Sequence, residues 1–218
     1  DTGRQSCESP NLQNIPGDSK FRDCFIAEPG YSLICADYSA CELRILAALS
    51  GDQNMIDAFK SGKDLHTTTA AVLFGRDYAE LKAQVDNGDK DANKKRKIAK
   101  QANFLIVYGG GAYTLAERAG IPEGEAEDII NKYYLGFPGV EMWLNYAGFE
   151  AKNKGYSLTR AGRKRFYELP ISDGRNSREH FIKLGEIERQ GKNAPIQGGN
   201  ADVTKKACGE NNFCAVKI

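Results

Sequence analysis

With two histidines and no Cys-x-x-Cys pair, a zinc site is not expected as the basis of function. The apolar runs are far too short to cross a bilayer, and no charged-then-apolar leader opens the chain. Neither a membrane protein nor a secreted one is expected. Charge of one sign is not in excess: the net charge is +1, so bulk charge announces no nucleic-acid binder. Repeats and low-complexity segments are absent. What is there is ordinary globular material, 41% hydrophobic and 27% charged, and its 218 residues suffice for one large domain or two small ones. Six cysteines stand at 7, 24, 35, 41, 208 and 214. Several lie in apolar stretches, where a free thiol packs as a small hydrophobe, and a reducing compartment is expected.

The basic residues are few in excess but clustered, at 94–100 and 160–165. The first cluster opens the stretch Lys94–Gly111, which turns aromatic and apolar and stops at three glycines. At helical spacing Arg96, Lys100, Phe104 and Tyr108 recur every fourth residue and share one stripe. Two cations followed by two rings suit a ligand with several negative charges at one end and a flat heterocycle at the other, such as a nucleoside triphosphate. The plain alternative is a solvated basic helix start that runs into a buried end.

Residues 1–20 read as an extended, turn-rich loop with Arg4 on it. Phe21–Ala27 and Tyr31–Ala36 read as two strands of an antiparallel hairpin around Glu28-Pro29-Gly30. Asp37 stands where the second strand hands over to a helix ended by Gly51. It either caps that helix or faces a cleft and holds a hard cation through oxygen. Glu42 and Arg44, charged within that apolar helix, are either paired or at a site. Helices are predicted at Gln53–Lys60, Lys63–Phe74, Tyr78–Val85, Ala112–Ala119, Glu123–Tyr134 and Val140–Asn153, with a hydrophilic linker at Asn87–Asn93 and Trp143 in the core. His66, in a first helical turn, can touch a phosphate or be merely structural. Gly155–Thr159 and Arg165–Leu169 read as short strands around a basic turn that either grips a phosphate backbone or is solvated. Asp173–Ser177 reads as loop. Arg178–Gln190 and Lys192–Cys208 read as two helices or one long one, with Arg189, Asn193 and Gln197 forming a polar stripe fit to read base edges or sugars. Residues 209–218 show no closing element.

Taken in order, these residues resemble the bacterial-type DNA polymerase I family, family A. Thr2-Gly3-Arg4 with Pro10–Pro16 is similar to the family's segment before the palm. Asp37-Tyr38-Ser39, Glu42-Leu43-Arg44 and Ser50-Gly51-Asp52 resemble its motif A, and Asp64-Leu65-His66 with Thr69-Ala70 and Phe74-Gly75 the fingers segment that follows. Arg96, Lys100, Phe104, Tyr108 and Gly109 match its motif B. Tyr134, Phe137–Val140, Gly162-Arg163 and Leu169-Pro170 match later landmarks, and Glu188-Arg189, Asn193-Ala194-Pro195, Gln197-Gly198 and Ala201-Asp202 its palm helix.

The resemblance implies a helix-rich α/β fold, a partial polymerase right hand. Residues 1–50 and 185–218 would build an incomplete antiparallel palm sheet side, and 51–184 the helical fingers. It implies template-directed transfer of a nucleotide from a dNTP to a primer 3′-hydroxyl, with two Mg²⁺ ions held by Asp37 and the Tyr38 carbonyl. Arg96, Lys100 and His66 would hold the triphosphate, Phe104 would pack by the sugar and Tyr108 by the nascent base pair. Glu42, against Tyr108, would exclude a 2′-hydroxyl. Arg4, Arg189, Asn193 and Gln197 would contact primer–template DNA. The setting implied is the cytoplasm of a bacterium or a phage-infected cell.

Departures from the family pattern are Ala40-Cys41, expected as tolerated packing, and Leu105, where glycine is more usual. Leu105 is expected beside the sugar pocket, and Gly110-Gly111 is expected to loosen the helix end. The chain begins at Asp1 and has no aspartate after Asp202. It is therefore expected to be a piece of a longer protein, without the thumb and without the segment that carries the second catalytic aspartate. As a fragment it is expected to polymerise poorly. A non-catalytic nucleic-acid-binding fragment and a single-subunit RNA polymerase relative are the alternatives.

Overall fold

The computed structural model describes residues 2–34, 36–171 and 178–210. The expected loop at 173–177, Cys35 of the expected second strand and residues 211–218 lie outside them. Ten α-helices and a two-stranded sheet make up the regular structure of the described residues, besides a 3₁₀ turn at Leu12–Asn14. The helices are α1 (Ser19–Arg22), α2 (Cys41–Ser50), α3 (Gln53–Lys60), α4 (Leu65–Phe74), α5 (Tyr78–Asp86), α6 (Lys90–Val107), α7 (Ala112–Ala119), α8 (Glu123–Gly136), α9 (Pro138–Lys154) and α10 (Arg178–Glu210).

Most boundaries follow from local chemistry. Asp52, Asp64, Asp77 and Asp89 each accept a backbone N–H from the first turn of α3, α4, α5 and α6. Left-handed Gly51, Gly75, Gly120 and Gly155 close α2, α4, α7 and α9. Asp89 starts α6 inside the expected linker, because its carboxylate takes the Ala92 N–H at 2.8 Å. Buried Asp52 does more: its second oxygen accepts the Gly139 N–H at 2.9 Å, so one carboxylate joins the starts of α3 and α9.

Strands β1 (Tyr156–Leu158) and β2 (Lys164–Phe166) pair antiparallel, with Ser157 opposite Arg165. The expected hairpin at 21–36 is not formed by its described residues. Asp18 opens the short helix α1 instead, accepting the Lys20 N–H at 3.0 Å. Ile26, Tyr31, Leu33 and Ile34 are exposed. A strand sequence expresses its preference only against a surface that buries one face, and an isolated hairpin lacks one. Helix α2 is entered through Ala40, whose φ of 51° is left-handed, so Asp37 is not its cap. For a non-glycine residue that backbone costs about 1–2 kcal/mol.

A single apolar cluster joins α2 to α9 and reaches Ile196 of α10. Trp143 packs partly buried against it. Helix α10 is continuous through Pro195, and α9 lies along it. Their close approach needs Gly191, since a methyl group there would land on the Ala151 Cβ and come within 3.3 Å of the Ala147 carbonyl oxygen. The ion pair of Glu188 with Lys152 and Lys192 fastens the same crossing, and both ammoniums hold the Glu188 carboxyl at about 2.

Gly191→Ala is expected to force α9 and α10 apart and cost about 1–3 kcal/mol, the range for overpacking. A lowered urea midpoint checks this, whereas Gly209→Ala, with open space around it, should be near neutral.

Candidate nucleotide and nucleic-acid site

Helix α6 buries Ile98, Ala99, Ala102, Leu105 and Ile106 on one side. Its other stripe therefore presents Arg96, Lys100, Phe104 and Tyr108, as the spacing predicts. Lys100 is exposed, while Arg96 and Phe104 are half-buried. The Arg96 Nε donates to Asp64 Oδ2 at 2.8 Å. Asp64 is thus both the cap of α4 and the anchor of the first cation. Burial pushes its carboxyl up, but the bonds from Arg96 and Thr67 outweigh burial and hold it at about 2.

His66 lies in the first turn of α4, its ring 5.8 Å from that of Phe104. Burial lowers its pKa, and although Asp64 opposes this, Arg96 and Lys100 push the same way. The ring is therefore neutral at pH 7. At the far end of α6, Tyr108 donates its hydroxyl to Glu42 Oε2 at 3.2 Å. That bond ties α2 to the end of α6 and makes Glu42 the paired residue that its apolar surroundings demanded. Arg44 is paired as well, donating to the Ser39 carbonyl at 3.0 Å and lying 4.4 Å from the centre of the Phe59 ring. Asp37 and Tyr38 are exposed on the approach to α2, just ahead of Glu42.

The polar stripe of α10 meets the same end of α6. Asn193 is buried and donates to the Val107 carbonyl at 3.2 Å. Gly109 lies against Arg189, whose Cα would be 3.4 Å from a methyl group on that glycine. Gln197 is half-buried, and Arg4 is exposed on the segment whose Thr2 carbonyl and Gly3 lie over Gly198 and Arg163. The basic turn does not release all its charge to solvent. Arg163 donates to Asp202 Oδ1 and to the Gly198 carbonyl, both at 2.9 Å, so it locks the turn onto α10.

One expectation about the end of α6 is corrected. Leu105 is 2% exposed and points into the core, not toward a sugar pocket. Gly109 is left-handed, its N–H reaches the Ile106 carbonyl, and the Gly110 N–H reaches the Leu105 carbonyl at 2.9 Å. This is a Schellman closure, which satisfies two of the last carbonyls of α6. Asp64 and Asn103 are the site residues that sequence reasoning passed over. The Asp64-Leu65-His66 cap pattern was the available signal for the first, and a lone amide within Ala102–Val107 for the second.

The sequence profile described as DNA polymerase family A matches residues 1–212. The chain belongs to this family. It is 42% identical over 210 residues to the thermostable DNA polymerase I of Thermus filiformis, covering 94% of this chain and 23% of that protein. It is likewise 42% identical over 211 residues to DNA polymerase I of Geobacillus stearothermophilus, covering 94% and 22%. The chain thus spans less than a quarter of the length of these relatives. Its fold is similar to the POL domain of Pol1 from M. smegmatis, solved in complex with DNA primer-template and dNTP. The TM-score is 0.79 at 34% identity, over 98% of this chain and 37% of that one.

Asp64→Ala should lower stability at pH 7 by about 1–2 kcal/mol through the lost cap and ion pair. Because the folded pKa lies at about 2, below the ordinary aspartate value of 3.8, this contribution is present above about pH 4 and lost as pH falls through 2. Urea unfolding of both proteins between pH 2 and 7 should therefore converge at the acid end.

Proposed function

We propose that this chain supplies the nucleotide-binding part of a template-directed DNA polymerase, which transfers a nucleotide from a dNTP to a primer 3′-hydroxyl. The observation that carries the reading is the α6 stripe with a neutral imidazole beside Phe104 and a carboxylate bonded to Tyr108. Arg96 and Lys100 supply fixed positive charge to a triphosphate. That charge matters most as the bond to the leaving pyrophosphate breaks and negative charge collects on it. The His66 imidazole adds a hydrogen bond without adding a full charge. The Phe104 face packs a sugar, and Tyr108 a base pair. Glu42, held against Tyr108, fills the space that a ribose 2′-hydroxyl would need.

Residues 1–50 and 185–218 are assigned to the palm side and 51–184 to the fingers. Arg4, Arg189, Asn193 and Gln197 are assigned to primer–template DNA, Asn193 also holding α10 against α6 through the Val107 carbonyl. The oxygens of Asp37 and of the Tyr38 carbonyl suit Mg²⁺, which binds through one or two carboxylates together with substrate phosphates. Among the described residues no group of three or more His, Cys, Asp and Glu could hold a metal by itself. Asp37 is thus a contributor to a site for two ions, not the whole of one. Bound there, Mg²⁺ would activate the 3′-hydroxyl and neutralise the leaving group. A reducing, cytoplasmic setting is proposed on the cysteine pattern of the sequence alone. No helix among the described residues is long and apolar enough to cross a membrane.

Primer extension by the full-length protein tests the reading. Lys100→Ala should lower kcat/KM for dNTP at least about tenfold, with part of the loss in kcat, the loss of one charge-assisted hydrogen bond. Glu42→Ala should raise ribonucleotide incorporation while sparing that of dNTPs. An unchanged sugar preference in Glu42→Ala sinks the gate assignment, and equal use of both sugars by the wild type points to an RNA polymerase relative. Binding of primer–template without extension would leave a non-catalytic nucleic-acid-binding module.

A further inference from the structure

The core of the α4–α6–α8 layer contains a polar chain that packing alone does not require. Tyr133 on α8 and Asn103 on α6 are both 0% exposed, and Thr69 on α4 is 0% exposed as well. The Tyr133 hydroxyl lies 3.1 Å from Asn103 Oδ1. The Asn103 Nδ2 lies 3.0 Å from Thr69 Oγ1 and 3.1 Å from His66 Nδ1. Three helices are thus linked to one half-buried imidazole.

The direction of these bonds follows from the inventory of protons. A phenol O–H buried without an acceptor is costly, and Asn103 Oδ1 is the acceptor at hand. Turning the amide by 180° would set its N–H₂ against the phenol and strand the phenol proton. The buried hydroxyl therefore fixes the amide with its oxygen toward Tyr133 and its two N–H bonds toward Thr69 and His66. An N–H that faces Nδ1 needs a lone pair there. A neutral imidazole with a lone pair on Nδ1 carries its proton on Nε2.

We propose that Tyr133, acting through Asn103, sets the tautomer of His66, leaving Nε2–H as the donor this ring offers to a bound polyphosphate. Asn103 and Tyr133 are positioning residues, and neither touches the ligand. The polyphosphate part rests on the function proposed above, whereas the tautomer does not. The charged groups around the ring agree with a neutral state: Arg96 and Lys100 disfavour the imidazolium, and Asp64 alone favours it. Protonation would also set two N–H groups face to face unless the amide turned over.

The test is nitrogen NMR of the chain labelled at histidine, with His66 assigned by His180→Gln. The wild type should show the Nε2–H pattern. Tyr133→Phe keeps the ring and removes the proton that orients the amide. His66 should then show a mixture of tautomers, and inorganic tripolyphosphate should bind about threefold more weakly, the loss of a modest hydrogen bond. Thr69→Val removes an amide partner yet spares Tyr133, so the tautomer should persist. An Nδ1–H pattern in the wild type, or an unchanged tautomer in folded Tyr133→Phe, overturns the proposal. Should Tyr133→Phe fail to fold, the wild-type pattern decides by itself. If the tautomers behave as described but His66 ignores tripolyphosphate, the relay stands and the triphosphate reading falls.

Discussion

The burial of one face of α6 against α4 is the constraint on which the site depends. Ile98, Ala99, Ala102, Leu105 and Ile106 have to leave water, and a helix that hides them has no choice about what it shows. Arg96, Lys100, Phe104 and Tyr108 are presented together because their partners on the opposite side are hidden together. The hydrophobic effect thus sets the direction of a cationic row that would repel itself if left to electrostatics alone. Asp64 relieves part of that repulsion by taking Arg96.

Around this row the polar contacts divide by burial. Half-buried Asp64 both starts a helix and orients a guanidinium, and the two roles need the same ionised carboxylate. Deeper in, Tyr133, Asn103 and Thr69 satisfy one another inside an apolar layer, where an unpaired member would be more costly than none at all. The site's two ends are also held by different means. His66 is reached from the core through an amide, whereas Tyr108 is reached from outside through Glu42 on α2. A movement of α2 relative to α6 would therefore disturb the tyrosine end first and leave the imidazole end seated.

Much of the helical layer was legible because its signals are local. Caps such as Asp52 and Asp77 and stops such as Gly75 and Gly120 act within one turn, and the expected ends of α3 and α7 coincide with those observed. The row on α6 was legible for the same reason, as a spacing of four on one helix. The strands expected at 21–36 were not formed because strand pairing is a long-range property. Phe21, Ile26 and Tyr31 carry the right side chains, but the described residues give them no surface to lie on. Asn103 escaped notice for a related reason. Its meaning lies in Tyr133 and His66, on two other helices, and no spacing on α6 points to them.

The end of α6 shows how a departure from a family pattern can be absorbed without reaching the site. A leucine at 105 suggests intrusion beside Phe104 if the helix is read as a projected wheel with every large side chain outward. The helix instead turns that position into the core, and its Schellman closure brings Gly110 back over it. Any side chain at 110 would collide with the Leu105 Cδ1. The leucine is accommodated because the residue five positions later has no side chain, and the two positions share one volume. Close-packed interiors allow such exchanges when total volume is kept. Tyr108, between them on the opposite side, keeps its place against Glu42. Leu105 and Gly110 thus share one volume at the end of α6, on the side away from the row of Arg96, Lys100, Phe104 and Tyr108.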